Sequence, residues 1–206
     1  MEAVAFDAMG VLYKGTDDMR GLVTPFAHSH GSRLSDREIR LAYRRAMLGE
    51  LTADQLWSAL GVAGVPQDLN REYLNGYELV PGIRELLDEL RDQGLVLGCI
   101  SNDVAEWSVA RRALHGLDQR IGFWTISSEV HARKPDEPIF RAFLKTVGIA
   151  SKRVAFVDDR QVNIAAAEAL GFKTILVDFA AAGNDPRAIR SVDQLGEALA
   201  ELRATD

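Results

Sequence analysis

Three short runs constrain this chain most: Ala3-Val-Ala-Phe6, Leu95-Val-Leu-Gly-Cys-Ile100 and Arg153-Val-Ala-Phe-Val157. Each has strand length, each is mostly apolar, and each runs directly into polar residues: Asp7, Ser101-Asn102 and Asp158-Asp159. A strand apolar on both faces needs cover on both faces, the condition met by a parallel sheet sandwiched between helices. Phe123–Ile126 and Lys173–Val177 are further strand candidates. Between these runs the apolar residues recur at helical spacing. Ile83, Leu86, Leu87 and Leu90 form one stripe, ended by Gly94. Further helices are predicted from an N-cap at Asp103, with Glu106, to about His115; from Pro138 to Val147; from Asn163 to Leu170; and over 193–203. The alternation predicts an α/β fold with a doubly wound parallel sheet. Ala180–Pro186 reads as a loop.

One segment departs from the alternation. Residues 14–31 read as a Gly-punctuated connection with a short helical piece. Ser35-Asp-Arg-Glu38 and Thr52-Ala-Asp-Gln55 are capping boxes, each opening a helix. The first carries an apolar face of Ile39, Ala42, Tyr43, Ala46 and Met47; the second carries Leu56, Trp57 and Leu60. Pro66 and Asp68 open a third piece through Tyr73 and Leu74. Residues 15–79 are therefore expected to form a small all-helical insertion, with 1–14 and 80–206 making the core.

Composition removes several function classes. A net charge of −6 argues against a broad nucleic-acid surface. No apolar run approaches the about 18 residues of a membrane span, and the N-terminus lacks the basic-then-apolar pattern of a secretory signal. The expectation is a cytoplasmic protein. The single cysteine, Cys99, lies in an apolar run and is expected to be a buried, inert thiol.

Strands of such a sheet that end at one edge bring their terminal residues into one ligand-binding crevice. Asp7, Ser101, Asn102, Asp158 and Asp159 would meet there, with the Lys134-Pro135 loop beside them. Crowded carboxylates repel unless a cation neutralises them, and a small set of oxygen ligands suits Mg²⁺. A lysine and a hydroxyl next to such a cluster suit a tetrahedral anion, which points to phosphate. An aspartate there can attack phosphorus and form an aspartyl-phosphate that water hydrolyses.

In order and spacing, Asp7-Ala-Met-Gly-Val, Ser101-Asn102, Lys134-Pro135 and Asp158-Asp159 resemble motifs I to IV of the haloacid dehalogenase superfamily. The resemblance covers essentially the whole chain and implies a Rossmann-like core with the helical insertion as a C1-type cap. It implies a Mg²⁺-dependent hydrolase of the phosphatase-like branch, acting on a small phosphorylated metabolite. Asp7 would be nucleophile and metal ligand. The Met9 backbone carbonyl and Asp159 would also bind the metal, with Asp158 acting mostly through water. Ser101, with Asn102 near it, would bind the phosphoryl group. Lys134 would neutralise nucleophile and phosphate, and Asn163 would brace the loop and helix.

One position departs from the family's phosphatases. They carry a second aspartate two residues after the nucleophile, and here that position is Met9. Methionine cannot transfer a proton, and such help is worth about 10²–10⁴-fold. Turnover would then favour acyl phosphates or other esters whose leaving group needs no proton. Three other readings stay open. The chain could be a binding protein without turnover, and a protein partner is compatible with it. Asp-Ala-Met-Gly is also similar to the start of the 2-haloacid dehalogenases, although these need no metal. A phosphonatase would need a cap lysine, and residues 15–133 contain none, leaving Lys14 alone. His28, His30, Arg33, Arg44 and Arg45 are the insertion's candidates for binding an anionic substrate, with His28 and His30 able to replace the missing acid. Trp57, Trp107 and Trp124 read as packing.

Overall fold

A computed structural model describes residues 1–15, 19–181 and 183–204. Residues 16–18 of the expected connection and 182 of the expected loop lie outside the described residues. The centre of the fold is β1 (Ala3–Phe6), flanked by β2 (Val96–Ser101) and β4 (Val154–Asp158). β3 (Phe123–Ile126) and β5 (Lys173–Leu176) are the edges of a five-stranded sheet ordered β3-β2-β1-β4-β5. All four pairings are parallel, with Phe6 in register with Cys99 on one side and Val157 on the other. β1 and β4 are buried at every residue, as their continuous apolar runs require.

Alternate residues feed two cores. Val4, Phe6, Leu97, Cys99, Ala155 and Val157 join one apolar cluster; Ala3, Ala5, Ile100, Val154 and Phe156 join the other. The second face is covered by α8 (Glu137–Val147) and α9 (Gln161–Ala169), through Phe140, Phe143, Ile164 and Ala167. Gly98 permits the approach of α8, because a Cβ there would lie 2.4 Å from the Phe143 ring. The first face is covered by α5 (Ile83–Asp92), α6 (Ala105–Leu114) and α10 (Val192–Ala204).

Among the described residues of the insertion between β1 and α5 the regular elements are helices, joined by turns, and Leu79 makes an isolated bridge to Tyr13. After a wide helical turn at Met19–Val23 come α1 (Thr24–Ser29), α2 (Asp36–Met47), α3 (Ala53–Ala59) and α4 (Pro66–Leu74). Both capping boxes are formed as the sequence predicts, at Ser35/Glu38 and Thr52/Gln55. Trp57 and Trp107 are buried, and Cys99 is fully buried, which pushes its thiol pKa up.

Three expectations shift. Asp103 is not the cap of α6, whose N-cap residue is Val104. Its side chain is buried, accepts from the Val104 N–H at 2.8 Å and is ion-paired with the equally buried Arg111, eight residues on. α9 begins two residues earlier than predicted, at Gln161. A short helix, α7 (Ser127–Val130), follows β3 where the sequence showed only a polar loop. No helix among the described residues is long and apolar enough to cross a membrane.

Candidate active site

The chain order reverses beside β1: β2 and β3 lie to one side, β4 and β5 to the other. In open parallel sheets a crevice forms at such a switch point, outside the carboxyl ends of the strands. β1 ends into Asp7, β2 at Ser101 and β4 at Asp158, so three adjacent strands deliver their polar ends to one cavity of about 500 Å³.

Asp7 is held from two directions. Its Oδ1 accepts a hydrogen bond from the Ala8 N–H at 2.6 Å and lies 2.7 Å from Lys134 Nζ. Lys134 is only 2% exposed, and its ammonium also donates to Asp158 Oδ2 at 2.7 Å. Burial alone would lower the lysine pKa. The Asp158 and Asp7 carboxylates outweigh it and hold Lys134 above its ordinary range, so it stays charged. The Lys134-Pro135 peptide is cis. Asn102 fixes the lysine backbone from both ends: its Oδ1 accepts from the Lys134 N–H at 2.7 Å and its Nδ2 donates to the Lys134 carbonyl at 3.0 Å.

Asp158 is completely buried and its oxygens are saturated. Oδ1 accepts from the Arg160 N–H at 2.8 Å, and Asn163 Nδ2 donates to both oxygens at 3.0 Å. Asp159 contrasts with it. Its Oδ1 is buried and has no hydrogen-bond partner among the described residues. Burial, then the neighbouring Asp7 and Asp158, raises its pKa to about 8. Asp7 is raised to about 6, with burial the largest cause, Lys134 opposing it and Asp158 adding to it. One oxygen from each of Asp7, Asp158 and Asp159 lies within 4.8 Å of the others. Hard oxygen donors, an orphaned buried carboxylate oxygen and raised carboxyl pKa values all fit a small divalent cation. Gly10 makes the crowding possible: its φ is +78°, and a Cβ there would stand 2.5 Å from Asp159 Oδ2.

The cavity gathers Asp7, Met9, Ser101, Asn102, Lys134 and Asp159 in its lining, with Asp158 buried directly behind. The insertion's candidates divide. Arg44 lines the cavity. Arg45 turns away to pair with Glu50 at 3.0 Å. His28 faces Asp36 and the Ser32 carbonyl, while His30 stacks on Phe26 and faces Glu72. Neither histidine, nor Arg33, lines the cavity. Lys14 is exposed and pairs with Glu78 at 2.6 Å. Arg20, Arg40, Tyr43, Met47, Arg133 and Arg160 also line the site and were missed as such. Arg133 and Arg160 each flank a motif residue, and Arg40 sits one helical turn before Arg44, so spacing could have flagged these three.

Comparison with known proteins places the chain in a family. The chain is 31% identical over 124 residues to a plasmid-encoded phosphoglycolate phosphatase of Cupriavidus necator, a match covering 60% of this chain and 54% of that protein. It is 32% identical over 113 residues to a phosphoserine phosphatase of Thermus thermophilus, covering 54% and 45%. The matched region thus spans about half the length of these curated relatives. Among solved structures, a HAD family enzyme of Bacteroides thetaiotaomicron in complex with magnesium and inorganic phosphate superposes with a TM-score of 0.72 at 20% identity, over 90% of this chain and 97% of that one. A HAD phosphatase of Thermococcus onnurineus gives 0.73 at 20%, over 97% and 98%. At these identities the likeness shows a shared fold. The model of one family, the haloacid dehalogenase-like hydrolases, matches residues 1–171 of the 206, and the chain belongs to that family.

Proposed function

We propose that this protein is a Mg²⁺-dependent phosphatase that hydrolyses a small phosphorylated metabolite through an aspartyl-phosphate on Asp7. The observation that carries the reading is the Asp7–Lys134–Asp158 chain of 2.7 Å contacts beside the unsatisfied Asp159 oxygen. Asp7, Asp159 and the Met9 carbonyl would hold the ion, with Asp158 behind them. The bound cation would neutralise charge on the phosphoryl oxygens and the carboxylates.

The chain's own residues divide the remaining work. The Ala8 N–H and Lys134 orient the Asp7 carboxylate for attack on phosphorus. Lys134 remains charged through the reaction, because Asp158 stays paired with its ammonium while Asp7 is an acyl phosphate and the phosphoryl group carries the negative charge beside it. Ser101 supplies a hydroxyl to the phosphoryl group from the end of β2. Asn102 acts by positioning Lys134 through its backbone. As Asp7 attacks, the bond from phosphorus to the leaving oxygen breaks; water then cleaves the aspartyl-phosphate and releases phosphate. Met9 lines the cavity, the family resemblance would put the proton-donating acid at that position, and neither histidine of the insertion lines the site. The reading therefore favours leaving groups that depart unprotonated, acyl phosphates above all.

Phosphate release measured with and without Mg²⁺ on a panel of acyl, sugar and alkyl phosphates tests this. Release from acyl phosphates is expected, abolished in Asp7→Asn, and Met9→Asp should raise alkyl phosphate turnover by about 10²-fold or more. No Mg²⁺-dependent release from any substrate, or chloride release from 2-chloropropionate, would overturn the reading.

A further inference from the structure

The charge lining the cavity exceeds what one phosphoryl group needs. Asp7 and Asp159 face six cationic side chains: Lys134, Arg20, Arg40, Arg44, Arg133 and Arg160. Lys134 is already shared between Asp7 and Asp158. Among the described residues no carboxylate lies within ion-pair distance of the Arg40, Arg44, Arg133 or Arg160 guanidinium, although Asp159 feels Arg160 and Arg133 feels Asp136, on a chain whose net charge is −6. Arg133 is half-buried, and its Nε is a buried donor without a partner. The groups that act on it electrostatically are Arg44, Asp136 and Arg160, two of them cations. A buried donor without a partner is costly, and with the exposed cations Arg44 and Arg160 beside it the partner that fits the Arg133 Nε is an anion.

The elements explain the gathering. Arg40 and Arg44 lie one turn apart on α2, on the side of the helix that carries Tyr43 and Met47 into the same cavity. Arg133 immediately precedes Lys134, and Arg160 follows Asp159. Insertion and core therefore contribute arginines to the wall facing Asp7. Guanidinium groups pair with carboxylate or phosphate through two parallel hydrogen bonds.

We propose that the substrate carries a second anionic group, a carboxylate or a second phosphate, bound by Arg44 and Arg133 with Arg40 and Arg160 around them. This rests on the phosphatase reading for the location of the first phosphate at Asp7. The second site selects among phosphorylated metabolites, and a monoanionic or neutral remainder leaves Arg133 unsatisfied.

Calorimetric titration in Mg²⁺ buffer tests the proposal without requiring turnover. Two ligand pairs serve as probes: 3-phosphoglycerate against glycerol 3-phosphate, and fructose 1,6-bisphosphate against fructose 6-phosphate. In at least one pair the doubly anionic member should bind about tenfold tighter, and which pair responds separates carboxylate from phosphate recognition. Arg44→Met and Arg133→Met should each bring that ratio toward one. Arg45→Met, next on the helix but paired with Glu50, should leave it in place. Ratios near one for both pairs in the wild-type protein, or ratios unaffected by Arg44→Met and Arg133→Met, would overturn the proposal. A retained ratio without phosphate release from any substrate would refute the phosphatase and keep the anion site. Phosphate release with flat ratios would do the reverse.

Discussion

At the scale of single residues, Gly10 shows how the site is assembled. Its positive φ is one that L side chains adopt at a cost of about 1–2 kcal/mol. A methyl group there would also collide with the Asp159 carboxylate. Gly10→Ala is therefore expected to displace Asp159 and weaken Mg²⁺ binding by about tenfold or more, while costing about 1 kcal/mol in stability. Calorimetry with Mg²⁺ and a denaturant melt read the two effects separately. Wild-type affinity in a folded variant would refute the account. Asn102 teaches a different lesson. In the chain it stands beside Ser101 and reads as a phosphate neighbour, yet its amide is engaged with the Lys134 backbone, 32 residues away. Residue type and motif position identified both as site residues; which of them holds another was settled by three-dimensional contact.

Among the elements, the insertion is joined to the core by buried polar and aromatic contacts. Asn70 on α4 accepts hydrogen bonds at 2.7 Å from two buried indoles, Trp57 on α3 and Trp107 on α6. Its own amide group is held by Asp54 at 3.0 Å. The rings of Trp57, Tyr73 and Trp107 pack with centroids 4.4 to 5.4 Å apart. Asn70→Ala would strand two indole N–H groups, at a cost of about 2 kcal/mol or more. For a chain of this size that lowers Tm by roughly 4–8 °C, and the melt should stay a single transition because insertion and core share one apolar cluster. Separate transitions for the two parts would count against that coupling. The C-terminal end of α2 is tied down as well. Ser127 Oγ donates to the Met47 carbonyl at 2.6 Å and accepts from the Asp103 N–H at 2.9 Å, and His131 Nδ1 lies 2.9 Å from the Leu48 carbonyl. These contacts fix where Arg40 and Arg44 stand over the site. The capping boxes announced α2 and α3 in the sequence, because they are local hydrogen-bond patterns. The tryptophan–asparagine junction was invisible there, because its partners are 13 and 37 residues apart.

For the whole molecule, an acidic cluster that holds Mg²⁺ as proposed would couple metal, protons and stability. Asp159 is raised to about 8 from an ordinary value of 3.8, so without metal the folded state keeps a proton that the unfolded state has lost. The stability linked to this group is fully present below its unfolded pKa and is lost as pH rises through about 8. Metal-free protein should therefore lose Tm as pH is raised from about 6 to 9, and saturating Mg²⁺ should flatten the loss. Apparent Mg²⁺ affinity should rise over the same interval, since binding must release the proton. Asp159→Asn should remove most of both pH dependences. A metal-free Tm that is flat or rises across this range, or a pH-independent Mg²⁺ affinity, would refute the linkage.

By itself the sequence determined the layered α/β architecture, the helical insertion and the residues at the strand ends. Continuous apolar runs alternating with amphipathic helices suit a parallel sheet covered on both faces, and strands of such a sheet present their carboxyl ends at one edge. That Met9 stands where an acid would is what the family resemblance implies, and it stays part of the proposal. Tertiary structure decided the rest: Asp103 paired with Arg111, Asp158 saturated while Asp159 holds an orphan oxygen, and Arg44 kept in the site while Arg45 and the histidines leave it. Those outcomes depend on burial and on which way each side chain turns within the packed fold, and neither is set by the local periods and caps that a sequence displays.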